Sequence, residues 1–409
     1  MLMKRTENSL LSKWWLAVDK TVLFTVLALS VFGVFMVWDT STYLAKRLGY
    51  GEFFYVKKML LYVPIGLSMF WISSCIRTRW IRSGALLAFP FLTIAMVATV
   101  FFAETKGARR WIAISGGFKI QPSELMKPVF AIVVAMILAR IKDLHKNYKS
   151  NVSATSKDED DFGNETRESK IDIPTKKSCF CIWKSARERN YILLLLGIFA
   201  MFAGILLGIQ KDFGMTLTYG IIFASEVFVA GLSWFWISVL CGMSVLGLFM
   251  VLKFVPHVVA RLQTFGDDGA YQLSKSLNAI RESNIFFGGH GNNLKTLIPD
   301  VHTDFIFAGI VEELSPVVAA LIISVFFVFI SHILNVVKEK KNCFVVCSVV
   351  GITSYIAFQI LVNIASTLGF IPTKGMTLPF ISYGGSSFIS SCIAVGIILS
   401  LLQEQNLRR

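Results

Sequence analysis

Apolar residues in this chain come in long, nearly unbroken runs rather than in the alternating or single-face patterns of a water-soluble domain. They fall near residues 18–38, 59–76, 84–102, 124–141, 190–209, 214–231, 233–254, 315–337, 343–368 and 379–403. Each is long enough to cross a hydrocarbon core about 30 Å thick. The pattern predicts an all-α, polytopic membrane protein of about ten transmembrane helices, read as a single membrane domain over residues 1–409. The first run is followed by no small-residue cleavage site, so it is read as helix one and not as a removed signal.

The polar stretches between the runs set an orientation. Lys4, Arg5, Lys13 and Lys20 precede the first run, Arg77, Arg79 and Arg82 follow the second, Lys338, Lys340 and Lys341 follow the eighth, and Arg408 and Arg409 close the chain. An excess of Lys and Arg marks cytoplasmic segments, which places both termini inside and two long connections, 104–123 and 255–314, outside. The inner linker, 142–189, carries DEDD at 158–161 and hardly any apolar periodicity. It reads as a disordered or loosely helical spacer and is assigned no chemistry.

Composition agrees with a membrane protein: 55% of residues are hydrophobic and 16% charged, against about 25% charged in an ordinary soluble domain. The net charge of +14 does not imply nucleic acid, because the cations sit in short connections and not on one face of a domain. Most cysteines lie in or beside apolar runs and imply no disulfide framework; Cys179 and Cys181 lack the second pair a zinc site would need.

The outer connections nevertheless carry Lys106, Arg109, Arg110, Lys119, Arg261, Lys275, Arg281 and Lys295. Positive charge there opposes the orientation rule. An anionic partner such as a phosphate or diphosphate would account for it; lipid headgroups or plain solvation are the alternatives.

Four segments carry candidate chemistry. In GARRWIAISGGFKIQPSELMKP, 107–128, Gln121 leads into a helix start with Pro122 at its first position and Ser123 and Glu124 in its first turn. Glu124 and Lys127 are three apart and can pair at the membrane edge, either as functional groups or as a structural ion pair. In QKDFGMT, 210–216, Asp212 either caps the next helix or faces the site, while Glu226 lies deeper with no partner in view. In IPDVHTDFIFAGIVEELS, 298–315, Asp300, His302 and Asp304 precede an apolar stretch and Glu312 and Glu313. A carboxylate where a polar loop meets apolar sequence is partly desolvated and suits general-base work. Asp304 is therefore the candidate base, with a helix N-cap as the alternative role; His302 either serves the site or bonds locally. In IPTKGMTLPFISYGGSS, 371–387, Lys374 stands beside Gly384, Gly385, Ser386 and Ser387, where small residues allow close backbone approach and hydroxyls can donate to a ligand or a neighbouring helix.

Taken in order, these four segments resemble the SEDS family of bacterial cell-wall proteins, whose members include FtsW, RodA and SpoVE. The string PTKGMTLPFISYGGSS is closer to the division member FtsW than to the elongation member RodA. The resemblance implies a peptidoglycan glycosyltransferase that polymerises lipid II and releases undecaprenyl diphosphate, in the cytoplasmic membrane of a bacterium at the division septum. It implies Asp304 as the essential aspartate, with Glu124, Lys127 and Asp212 on family positions. Asp304 would deprotonate the acceptor 4-hydroxyl for attack on the donor anomeric carbon with inversion. Arg109, Arg110 and Lys127 would hold the diphosphate, with Lys106, Gln121, Ser123, His302, Lys374, Ser386 and Ser387 as further substrate contacts. A divalent cation could share that work, although no ligand cluster in the sequence marks one, and no other cofactor is implied. The expected partners are lipid II, a class B penicillin-binding protein acting as transpeptidase, other division proteins and the membrane. A lipid II flippase and a non-catalytic division scaffold are the competing readings. The chain departs from the family at Lys211, where proline is common, at Ser315, where glycine is usual, in FFGGHGNNLK at 286–295, and in its long inner linker.

Overall fold

The computed structural model describes residues 10–102, 109–114, 118–158, 186–231, 242, 268–286, 298–371 and 375–406. Twelve helices are followed here in chain order: α1 (Leu10–Ala17), α2 (Lys20–Arg47), α3 (Phe54–Cys75), α4 (Thr78–Ala98), α5 (Pro122–Asp158), α6 (Ala186–Gly204), α7 (Phe213–Ala230), α8 (Asp268–Glu282), α9 (Ile306–Glu313), α10 (Pro316–Lys338), α11 (Cys343–Thr367) and α12 (Gly385–Asn406). Eight of them, α2, α3, α4, α6, α7, α10, α11 and α12, are long and apolar enough to cross a membrane. The fourth apolar run of the sequence lies inside α5, and the seventh, 233–254, lies outside the described residues save for Gly242.

Three features differ from the expectation. Helix α5 runs to Asp158, past residue 141 where the fourth span was expected to end, so the first part of the inner linker takes the helical one of its two expected forms. Helix α12 starts at Gly385 and not at 379, because residues 375–384 form a turn in which Phe380 has φ 66°. Ahead of α5 stands a two-stranded antiparallel hairpin, β1 (Ile112–Ile114) and β2 (Phe118–Ile120), with Ile112 opposite Ile120.

Local chemistry sets the helix ends. Asp19 caps α2 by accepting from the Thr21 and Val22 N–H groups, and its other oxygen lies 2.7 Å from His332 on α10. Pro316 occupies the first turn of α10 behind Ser315, whose hydroxyl accepts from Val318 N–H. Ser315 itself has φ 142°, a conformation suited to glycine. Helix α7 stops at Gly231, left-handed with φ 87°.

In a bilayer, lipid is as apolar as leucine, so close packing and polar links hold helices together more than the removal of apolar surface from water. Helices α3 and α12 approach closely: Gly66 faces the ring of Phe388, and Gly396 lies against Ser73 and the Phe70 carbonyl. Gly33 on α2 leaves no room for a side chain because the backbone of Phe380 and Ile381 sits against it, which fixes the 375–384 turn to the bundle. Of the eight spans, α11 and α12 are the most enclosed. The outer face of α4, with Leu86, Leu87, Phe91 and Ile94, is exposed and apolar, as a lipid-facing surface must be.

Candidate functional site

The site begins with two loops pinned to one helix. Residues 298–305 turn tightly ahead of α9, with Asp300 at φ 55° and the Thr303 and Asp304 N–H groups donating to the Asp300 carbonyl. Phe305 is the cap residue of α9 and no side chain bonds there, so Asp304 is not an N-cap. Asp304 is half-buried. Its carbonyl accepts from Asn363 Nδ2 on α11 at 2.8 Å, and the same nitrogen donates to the Met376 carbonyl at 2.7 Å. Ser382 adds a second tie by donating to the Thr303 carbonyl and accepting from Leu378 N–H. Gly375 has φ 64°, and a Cβ there would stand 3.2 Å from Asp304 Oδ2. Glycine thus supplies both the left-handed turn and the open space beside the carboxylate.

One turn back along α11, Gln359 joins this assembly to the start of α5. Its Nε2 donates to the Thr377 carbonyl and hydroxyl and to Ser387 Oγ, while its Oε1 accepts from Lys127 Nζ at 3.1 Å. Lys127 Nζ lies 2.6 Å from Glu124 Oε2, with the two side chains 2% and 6% exposed. That carboxylate oxygen has no aligned hydrogen bond among the described residues, so the attraction is chiefly one of charge. Lys127 also stands 5.1 Å from the centre of the Tyr355 ring. The Glu124 carbonyl accepts from Ser390 of α12, and the Ser123 carbonyl from Tyr219 of α7.

The hairpin brings in two arginines. Arg110 Nε lies 3.0 Å from Asp212 Oδ2, again off the line of a hydrogen bond, and its Nη2 donates to the Lys211 carbonyl. Asp212 Oδ1 meanwhile accepts from Met215 N–H, so Asp212 both caps α7 and faces the site. The turn that carries it follows a π-helical stretch, Ile205–Ile209, a local unwinding common near functional sites. Gln210 is buried there and donates to the Met96 carbonyl. Lys211 has φ 54°, which proline cannot adopt, so this turn differs from one built on the family's proline. Arg109 donates to the Val100 carbonyl.

His302 is buried among Tyr55 and Tyr383, with ring centres 4.5 and 5.4 Å away, and its Nδ1 has no hydrogen-bond partner among the described residues. Burial pushes its imidazole down to about 4, against the opposing pull of Asp300, so it is neutral at physiological pH.

The structure therefore brings Asp304, Gln121, Ser123, Glu124, Lys127, His302, Ser386 and Ser387 to one end of the bundle, beside the Arg110–Asp212 pair. Gln121, Ser123, Ser386 and Ser387 are buried, and the Ser123 and Ser386 hydroxyls have no hydrogen-bond partner among the described residues. Lys106 and Lys374 lie outside the described residues. Among the described residues no three His, Cys, Asp or Glu side chains converge where a metal ion would sit. Sequence reasoning passed over Gln359 and Asn363. The signal was there: two carboxamides four residues apart inside a helix that is otherwise apolar and small-polar.

The model of the cell cycle proteins FtsW, RodA and SpoVE matches residues 20–156 and 179–407. The chain belongs to this family. Relatives within it include a protein of Caulobacter vibrioides named "Probable peptidoglycan glycosyltransferase FtsW", 29% identical over 98% of this chain and 93% of its own length. A protein of Coxiella burnetii with the same name is 30% identical over 94% of this chain and 96% of its own. Among solved structures, a chain of a peptidoglycan synthase complex that coordinates polymerization and crosslinking superposes with TM-score 0.71 at 21% identity, covering 97% of this chain and all of that one. The rod shape determining protein RodA of Thermus thermophilus superposes with TM-score 0.63 at 20% identity over 95% of this chain. These likenesses establish the FtsW/RodA/SpoVE fold and a multi-pass membrane protein.

Proposed function

We propose that this chain is a peptidoglycan glycosyltransferase that polymerises lipid II during cell division. The observation that carries the reading is the placement of Asp304. A half-buried carboxylate stands beside a glycine whose missing side chain would crowd it, on a loop hydrogen-bonded through α11 to a buried Glu124–Lys127 pair. The FtsW-named relatives supply the reaction class.

In this reading Asp304 accepts the proton of the acceptor sugar's 4-hydroxyl as that oxygen attacks the donor's anomeric carbon. The glycosidic bond forms with inversion, and the bond to the lipid diphosphate breaks. Arg109 and Arg110, held near the outer ends of α4 and α7, face the departing anion's charge. Asp212 keeps Arg110 in place while moderating its charge. Glu124 and Lys127 lie too deep to meet solvent and set the local field and the seat of α5 against α11 and α12. The reading includes ten spans, cytoplasmic termini, a site on the outer face, action at the septum and a class B penicillin-binding protein as transpeptidase partner. Positive-inside asymmetry supports the orientation.

The test is lipid II polymerisation by the purified protein with its cognate transpeptidase, comparing wild type with Asp304→Ala at equal folded, partner-bound amounts. Glycan strands from wild type and none from the variant are expected. Strands from both would remove Asp304 as the base; strands from neither would favour a flippase or a scaffold.

A further inference from the structure

We infer that Gln359 and Asn363 are positioning residues, which hold the Asp304 carboxylate and the Lys127 ammonium in one rigid frame. The inference rests on the glycosyltransferase reading above. Both side chains are buried, and Asn363 is fully so, which keeps them from the reacting sugars; they act through what they hold.

The orientation of each amide is forced. Gln359 directs Nε2 to three oxygens, the Thr377 carbonyl at 3.1 Å, Thr377 Oγ1 at 3.3 Å and Ser387 Oγ at 3.2 Å. Turning the amide over would set its oxygen against the Thr377 carbonyl and its NH2 against the Lys127 ammonium. Only one orientation leaves an acceptor facing the cation. Asn363 directs its NH2 to two carbonyls from different loops, Asp304 and Met376. A hydroxyl has one hydrogen and could serve one of them; a carboxylate has none.

The geometry gives this a purpose. Asp304 and Gly375 sit on irregular backbone, which by itself drifts, whereas groups in chemistry must be held to about 0.5 Å. Helix α11 is a continuous α-helix on which positions 359 and 363 are about 6 Å apart along the axis. Stapling the Asp304 loop, the 375–384 turn and the head of α5 to adjacent turns of that helix fixes the base relative to the buried cation. Thr377 closes the frame, since its hydroxyl donates to Ser387 Oγ at 2.8 Å on α12.

The experiment is steady-state polymerisation of lipid II by the protein with its cognate transpeptidase, for Asn363→Ala, Asn363→Ser and Gln359→Glu, with Asp304→Ala alongside. Asn363→Ala is expected to lower kcat on the order of 10- to 100-fold, the usual effect of shifting a catalytic group by about 1 Å, with KM for lipid II within about twofold. Amide hydrogen exchange is expected to rise in residues 298–305 and 375–384 together and not across the bundle. If Asn363→Ala does not fold, Asn363→Ser, which keeps one donor, carries the same test. Unchanged kcat, or a raised KM with kcat kept, would overturn the inference while Asp304→Ala remained inactive. Full activity of Asp304→Ala would instead overturn the reading on which it rests.

Discussion

Replacing Lys127 by methionine is the sharpest probe of the Glu124–Lys127 pair, because it keeps the bulk of the side chain and removes only the charge. In the native protein the ammonium has Glu124 at 2.6 Å and Gln359 Oε1 at 3.1 Å, and its side chain is 2% exposed. Without it, the Glu124 carboxylate is left buried in the bundle with its cation removed. Removing one partner of a buried pair costs about 3–5 kcal/mol, more than the pair contributes over a well-packed apolar replacement. Glu124→Gln should cost less, because Lys127 keeps the Gln359 oxygen as an acceptor. The double variant Glu124→Gln with Lys127→Met removes both charges and should recover most of the lost stability, to within about 1–2 kcal/mol of wild type. Thermal unfolding in a fixed detergent, with the folded fraction read by size exclusion, measures all three. A Lys127→Met protein that melts with wild type, or a double variant no more stable than Lys127→Met alone, would refute the account of a buried, mutually dependent pair.

Three further outcomes follow from particular contacts. A Cβ at Gly351 would overlap the Glu226 carboxyl, which is fully buried on α7 and makes no hydrogen bond among the described residues, so Gly351→Ala should lower stability by about 1–3 kcal/mol. Adding Glu226→Ala should restore it, and a failure to rescue in the same melting assay would place the strain elsewhere. Ser315→Gly should stabilise the chain by about 1 kcal/mol, since relief of φ 142° outweighs the few tenths lost with the serine cap; a lower melting temperature would contradict this. His302 has its folded value near 4, below the ordinary 6.5, so the unfolded chain binds the extra proton between those values. Stability should therefore fall as pH drops from about 6.5 towards 4, by roughly 3 kcal/mol from this group. In His302→Gln that part of the slope should vanish from melting curves taken across the window.

The sequence by itself determined the membrane class, most helix positions and the identity of the chemical segments. Long apolar runs can be read locally, because crossing a hydrocarbon layer demands about twenty apolar residues in a row wherever the helix ends up. Local rules also placed the start of α5 at Pro122, and they offered Asp212 the two roles that it turns out to hold at once. The ends of the last helix were less legible. The missing side chain of Gly33 lets the backbone at Phe380 and Ile381 sit against α2, and together with the bonds of Asn363 to Met376 and of Ser382 to Thr303 that contact between distant segments holds residues 379–384 as a turn instead of helix. The departure at Ser315 was visible as a missing glycine, but its meaning depended on a backbone angle.

What only the tertiary structure decided is how the segments combine. Lys127 meets Gln359 across 232 positions of sequence, and Asp304 is held by Asn363 across 59. Gln359 and Asn363 are two polar residues in an apolar helix, and the sequence does not say whether they face lipid, a neighbouring helix or a site. Inside the bundle a carboxamide cannot find water, so it must meet whatever polar groups folding brings to it. Those groups come from two loops and two other helices, and their convergence is a property of packing that no local pattern records.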